Sequence, residues 1–255
     1  MEPLSMVQWG ALVWLALGKL LTISLVSWLG SLRVFAARRV YAVPVREGQT
    51  RLEATSAWML LTDPVVLGVL VATGALRQAP ASVGTVLGTF VALFLWVDVW
   101  MYWNHRAMHQ WKWLWRIHAH HHRSRTTQPL SALSFSLSEK LGCYTLGWLL
   151  PLAAWSQVAP VSFWGVIAFY TFYFFASPIA HSNFELASHR LRWPMKALGT
   201  ATSHALHHAR VTNNYGFLTT LHDRLFGTFW VDSDEIHDRV IAGSPLGSLR
   251  EGTHV

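Results

Sequence analysis

An all-α fold, specifically an integral-membrane helical bundle carrying a histidine-rich helical cap, is what three observations predict for this chain of 255 residues. Hydrophobic residues make up 52% of it and charged residues only 13%, against roughly 25% charged in an ordinary soluble domain. The apolar residues gather in runs long enough to cross a bilayer's hydrocarbon as helices. Twelve of the 14 histidines lie between His105 and His222, in spacings that repeat. The formal charge of +7, from 20 Lys and Arg against 13 Asp and Glu, forms no basic stripe. Its cations are scattered among Trp and Leu, which argues against a nucleic-acid partner. So much apolar mass excludes a disordered chain, and the single Cys143 excludes a disulfide scaffold.

The first span runs from about Val7 to Leu32, interrupted by Lys19 and followed at once by Arg33, Arg38 and Arg39. A cleaved signal would begin basic and have a shorter apolar core. Here Glu2 stands near the start, so the segment reads as a retained helix with an outside N-terminus. The second run, Ala57 to Leu76, and the third, Ser82 to about Met101, are separated by Arg77-Gln78-Ala79-Pro80-Ala81 and form a hairpin. Gly84 and Gly88 in the third run fit a close helix contact, although such a pair is common by chance. The stretch 102–140 is histidine-bearing and polar enough to be interfacial or cytosolic. Another apolar block, about Leu141 to Pro178 with a linker at Ala154-Trp155-Ser156-Gln157, reads as a second hairpin whose first arm is short. About four to five membrane helices result. From His181 onward, turn signals such as Asn213-Asn214-Tyr215-Gly216 place the chain outside the hydrocarbon. Each hairpin returns the chain to the side it left, so both histidine-rich regions are expected on the cytosolic face. One domain, 1–255, is expected, with a scaffold over about 7–101 and a histidine-bearing region over about 98–229.

Spacing gives the histidines their meaning. His105 and His109 are four apart, which on a helix sets both imidazoles on one face, suited to ligating one or two metals. His118, His121 and His122 form an HxxHH pattern that His204, His207 and His208 repeat far downstream. Imidazole binds Fe, Zn, Cu and Ni, so ligand type does not choose the metal. A single haem needs fewer histidines than these. A zinc-buffering loop needs no register, and the HExxH of a zinc protease is absent because no Glu follows any histidine. Asp98, Tyr102, His105 and His109 continue one helical stripe. Asp98 or Tyr102 is therefore expected to orient a ligand imidazole by accepting its other ring N–H, since a carboxylate beside Phe94-Leu95-Trp96-Val97 is costly to bury. His120 falls outside the register, His189 and His222 are candidates for an outer role, and His237 and His254 are expected to face solvent.

Taken in order, His105-Arg106-Ala107-Met108-His109, Leu114-Trp115-Arg116-Ile117-His118-Ala119-His120-His121-His122, His181-Ser182-Asn183, His204-Ala205-Leu206-His207-His208, Asn214-Tyr215-Gly216 and Asp223-Arg224-Leu225-Phe226-Gly227-Thr228 resemble the fatty acid hydroxylase/sterol desaturase superfamily. The resemblance covers about Asp98 to Phe229. It implies a membrane non-haem di-iron oxygenase with a cytosolic site capping a small bundle. By motif the ligands would be His105, His109, His118, His121, His122, His204, His207 and His208, with His181 a ninth. Two departures stand out: Arg123 follows the first HxxHH where members commonly have Ser, and His222 stands where Trp commonly precedes Asp-Arg-Leu-Phe-Gly-Thr.

Breaking an unactivated C–H bond calls for an oxidant made from O₂, which two Fe ions can generate while the protein excludes water; zinc is a conceivable substitute in the site. Without a GxGxxG turn, P-loop or CxxC pair, electrons are expected from an external ferredoxin- or cytochrome-like donor. Arg116, Arg123, Arg125, Arg190 and Arg192 offer that donor a docking surface, or contact headgroups instead. The expected activity is hydroxylation of a lipid drawn from the bilayer, with desaturation as the alternative outcome. A histidine-rich zinc-binding or metal-transport membrane protein is the competing class. The membrane would be the inner membrane of a bacterium or the endoplasmic reticulum of a eukaryote.

Overall fold

The computed structural model describes residues 4–186 and 196–251. The helices described are α1 Met6–Ser31, α2 Arg33–Ala36, α3 Gln49–Ala54, α4 Thr62–Ala72, α5 Val83–Gln110, α6 Lys112–His118, α7 Gly147–Ser156, α8 Phe163–Ala180, α9 Ala201–Arg210, α10 Leu221–Leu225 and α11 Ser233–Ile241. Short 3-10 turns and a π-helical stretch at Glu139–Leu146 complete the path, and extended pairing is confined to isolated bridges among the described residues. The protein is thus an all-α bundle, as its apolar runs predict.

Four segments are long and apolar enough to cross a membrane among the described residues: Met6–Ser31, Gln49–Ala72, Val83–Gln110 and Phe163–Ala180. The second begins eight residues before its apolar run. Its polar start is accommodated because Gln49 Nε2 donates to the Thr126 carbonyl at 2.8 Å, while the buried Glu53 accepts from Ser124 and Ser131 at 2.6 and 2.7 Å. The expected linker at Ala154-Trp155-Ser156-Gln157 is instead mostly the end of α7, and the turn comes later, beside Pro160. There the tips of the two hairpins bind each other, Ala79 N–H donating to Val161 O at 2.9 Å and Val161 N–H to Arg77 O at 3.0 Å.

The outward faces of the long helices are apolar. On α5, Leu87, Val91, Leu95 and Val99 are each 40 to 59% exposed at steps of four, while Leu93, Val97, Met101 and Tyr102 point inward. That pattern suits hydrocarbon outside as well as a packed interior. α5 and α8 approach closely at Gly165, where a Cβ would lie 2.7 Å from the Val86 carbonyl oxygen. The Gly84 and Gly88 pair plays no such part: a Cβ at Gly88 would meet nothing within 4 Å.

Candidate metal centre

The site grows from the end of a membrane helix. With 28 residues at 1.5 Å each, α5 is about 42 Å long, against roughly 30 Å of hydrocarbon. It is thus long enough for its last turns, which hold His105 and His109, to extend past such a layer without a break in the helix. After the kink at Trp111, α6 ends at His118, and a turn leads to the 3-10 segment holding His121 and His122. His181 caps α8, and α9 carries His204, His207 and His208 behind a capping box of Thr200 with Ser203.

These segments bring the nine histidines into two groups. His105, His109, His118, His122 and His207 form one; His121, His181, His204 and His208 form the other. Within each group the ring nitrogens on offer lie within 4.8 Å of one another. Each HxxHH box is split between the groups. His118 and His122 face one while His121 faces the other, and His204 and His208 face the second while His207 crosses to the first. On α9 helical geometry explains the division, because residues four apart differ by about 40° around the axis while the residue at the third step lies about 60° to the other side; in the first box the turn after His118 and the 3-10 segment make the same split.

Hydrogen bonds fix which nitrogens point inward. Nδ1–H donates to the Tyr215 carbonyl from His105 at 2.8 Å, to Ser134 from His121 at 2.9 Å, to Ser177 from His181 at 2.8 Å and to Asn213 from His207 at 2.7 Å. Carbonyl oxygens only accept, so Nε2 of each of these rings carries a bare lone pair. Nε2 atoms nevertheless face each other at 3.1 Å between His105 and His118, 3.1 Å between His207 and His122, and 2.9 Å between His204 and His181. Burial, the largest cause, holds His118, His121, His122, His204, His207 and His208 well below the ordinary imidazole range and His181 down to about 3. Neutral imidazoles with converging lone pairs suit a cation between them. At metal–nitrogen distances of about 2.1 Å, ligands at right angles are about 3.0 Å apart and tetrahedral ones about 3.4 Å. At 2.9 to 3.1 Å, both nitrogens of each pair are close enough to reach one ion.

The groups that orient the rings differ from those expected. Asp98 accepts from Thr219 N–H at 2.9 Å and its hydroxyl at 2.8 Å, with His222 Nδ1 at 3.3 Å, and reaches no cluster imidazole. Tyr102 Oη pairs with Thr228 at 3.0 Å and accepts from Arg106 at 2.9 Å. Asp98 lies seven residues, about 10 Å along the axis, from His105, and the Tyr102 hydroxyl is taken up by Thr228 and Arg106. Glu139, in the π-helical stretch, takes the role instead: its Oε1 accepts from His118 Nδ1–H at 2.6 Å and from the Tyr144 hydroxyl at 3.2 Å, and burial pushes its carboxyl well up. Sequence reasoning missed Glu139, although an acid heading an apolar block carries the same signal as Asp98 does. Asp223 sits one layer further out, accepting from the N–H groups of Tyr215 and Gly216 at 2.8 and 2.6 Å, which holds the carbonyl that His105 uses.

His120 stays out of both groups, and His222 stacks on Tyr102. His237 does not face solvent as expected; it is buried on α11, near Glu185 at 3.8 Å. Arg116 and Arg123 are exposed, while Arg125 donates to the Ala209 carbonyl at 2.6 Å. His189, Arg190, Arg192 and His254 lie outside the described residues.

Comparison with known proteins places this site in context. The model of the fatty acid hydroxylase family matches residues 90–228, more than half of the chain and all nine clustered histidines. Over 147 residues the chain is 31% identical to CER1-like 1 of Arabidopsis thaliana, covering 56% of this chain and 23% of that protein. It is 31% identical over 158 residues to very-long-chain aldehyde decarbonylase GL1-6 of Oryza sativa subsp. japonica, covering 60% and 25%. With Delta(7)-sterol 5(6)-desaturase of Leptosphaeria maculans it shares 28% identity over 146 residues, 56% of this chain and 37% of that one. The chain therefore matches only about a quarter to a third of the length of these relatives. No solved structure matches it.

Proposed function

The chain belongs to the fatty acid hydroxylase family, and on that premise we propose that it is a single-domain, multi-pass membrane oxygenase that hydroxylates a C–H bond of a lipid with O₂ and external electrons. The observation that carries this reading is the pair of histidine groups with converging bare nitrogens at the end of an apolar bundle. His105, His109, His118, His122 and His207 would hold one iron, and His121, His181, His204 and His208 the other. An iron pair, when bound, supplies the O₂-derived oxidant that an unactivated C–H bond requires. A group of five histidines exceeds the four ligands of a tetrahedral zinc site, which supports iron.

The chain's own residues do the rest. Glu139 and the carbonyls of Tyr215, Ser134, Ser177 and Asn213 keep the Nδ1 protons and so aim each Nε2 inward. Phe135, stacked on His121 with centroids 4.7 Å apart, and Phe217, 5.2 Å from His204, shield the second group from water on the bundle side. A lipid enters sideways from the bilayer, and the histidine groups lie on the cytosolic face, consistent with the basic residues that follow α1. Exposed Arg116 and Arg123 present a basic surface to an acidic ferredoxin- or cytochrome-like donor.

Lipid mass spectrometry of a host expressing the chain, grown under isotopically heavy oxygen gas, tests the reading. A product that gains one heavy oxygen is expected. Loss of two hydrogens would redirect the assignment to desaturation, an outcome that the name of the similar sterol desaturase supports. Protein that holds only zinc, and that oxidises no lipid after iron loading and reduction, would overturn it.

A further inference from the structure

Two of the five histidines in the first group lean on one loop. His207 Nδ1–H donates to the Asn213 carbonyl at 2.7 Å, and His105 Nδ1–H to the Tyr215 carbonyl at 2.8 Å. The two rings come from different helices, α9 and α5, and their centroids are 4.3 Å apart. The Val211 carbonyl faces a third ring of the group, His109. Alternate carbonyls of residues 211–215 thus point at the metal centre, while that of Thr212 turns to Trp230 and accepts from its Nε1–H at 2.8 Å.

That backbone needs holding. Val211, Asn213 and Asn214 have φ of 67°, 58° and 51°, a region that asparagine tolerates but a β-branched residue rarely adopts. Asn214, the residue between the two carbonyls, fastens it. Its side chain is buried, and its N–H donates to the Thr228 carbonyl at 2.7 Å. Its side-chain amide donates to the Ser203 carbonyl at 3.0 Å and the Ser233 hydroxyl at 3.1 Å, and its Oδ1 accepts from Trp230 N–H at 2.9 Å. The Ser203 carbonyl only accepts and Trp230 N–H only donates, so the amide sits one way round. Ser203 lies in the first turn of α9, one turn before His207. The loop therefore binds α9 at Ser203 while α9 binds the loop through His207.

We infer that Asn214 is a positioning residue for the five-histidine group: its side-chain amide sets the loop carbonyls that aim Nε2 of His105 and His207 at one ion. This role rests on the metal-centre reading and needs no turnover. Shape alone does not fulfil it. Asn214→Asp would keep the acceptor for Trp230 but turn a carboxylate oxygen toward the Ser203 carbonyl oxygen, replacing a buried hydrogen bond with a repulsion.

The test uses the full chain in detergent loaded with cobalt(II), a paramagnetic ion that shifts the proton resonances of the rings bound to it. Nδ1–H signals are assigned by single-histidine replacement, and hydrogen exchange at each is followed beside cobalt content through a graded chelator wash. The unaltered protein is expected to hold two ions and to exchange slowly at His105, His207, His121 and His181. Asn214→Asp should speed exchange about tenfold or more at His105 and His207 and weaken one ion by about 10- to 100-fold, the range found for partners of ligand histidines. His121 and His181, whose protons go to the Ser134 and Ser177 carbonyls, should not change. Asn214→Gly, which keeps the left-handed backbone but no amide, should do the same. Ser233→Ala removes one acceptor of the amide and should give a smaller change at the same two rings, which tests the role even where the Asn214 variants fail to fold. Unchanged exchange with both ions retained in folded Asn214→Asp would overturn the role. So would equal acceleration at all four rings, the mark of general loosening. Unaltered protein that takes up no cobalt overturns the metal-centre reading and this role with it. The expected Asn214 effects in protein that oxidises no lipid support the role and overturn the oxygenase reading alone.

Discussion

Removing the carboxylate of Glu139 should weaken one metal position and spare the other. Glu139 meets His118 Nδ1 at 2.6 Å, and neither side chain has any exposed surface. Leaving the buried Nδ1–H of His118 without its acceptor costs about 1–3 kcal/mol. At about 1.4 kcal/mol per factor of ten, the loss corresponds to about 10- to 100-fold in affinity, the range found for partners of ligand histidines. Glu139→Gln keeps an acceptor without charge and belongs at the lower end. Glu139→Ala strands a buried Nδ1–H and belongs at the upper end. His118 belongs to the five-histidine group only, so the four-histidine group should keep its ion. The assay is metal content per protein after a graded chelator wash. The variants should fall from two ions toward one at a chelator concentration that leaves the unaltered protein loaded. Retention of both ions, or loss of the four-histidine ion first, would refute the role of Glu139.

Other outcomes follow from the same geometry. Alanine at His121 or His207 should abolish lipid oxidation while leaving the protein in the membrane fraction, and full activity in either variant would remove that residue from the ligand set. Asp223→Ala strands the buried N–H of Tyr215 and the half-buried N–H of Gly216; at about 1–3 kcal/mol for the buried one, thermal unfolding in detergent should begin at a clearly lower temperature, with the five-histidine group losing metal first. Gly165→Ala should destabilise by about 1–3 kcal/mol, because its Cβ would press on the Val86 carbonyl at 2.7 Å. Gly88→Ala, in open space, should stay within about 0.5 kcal/mol, and equal melting temperatures for the two would refute the assignment of the close contact to Gly165.

Hydropathy made the bundle readable, because hydrocarbon imposes one rule on every outward face. The i, i+3, i+4 spacing made the histidines readable, because it sets pairs such as His105 and His109 or His204 and His208 on one face of a helix. The acceptors of the Nδ1 protons were not readable from local pattern. Four of them are backbone carbonyls, of Tyr215, Ser134, Ser177 and Asn213, and any residue type can supply one. Asp98 misled because it shares a stripe with His105; seven residues of helix separate them by about 10 Å, beyond hydrogen-bond reach. Polar residues that start a span, such as Gln49 and Glu53, were also invisible, since only the fold shows that the 124–131 segment satisfies them.

The split of each HxxHH box has a mechanical consequence. His121 and His122 are neighbours in sequence yet serve different groups, and so are His207 and His208. One peptide bond thus links the two groups at each box, with the second box on a single regular helix. Filling one group fixes the rotation of α9 about its axis, and that same rotation sets His204 and His208 for the other. Ordering paid on the first binding event is then not required again at the second, which is the thermodynamic basis of positive cooperativity. Metal should load in pairs, with singly occupied protein scarce in a titration followed by native mass spectrometry. The Glu139 variants separate the two effects, because they weaken one group without touching the α9 linkage. If two independent sites fill statistically in the unaltered protein, α9 does not act as a rigid link, and the identical spacing of the two boxes reflects ligand geometry alone.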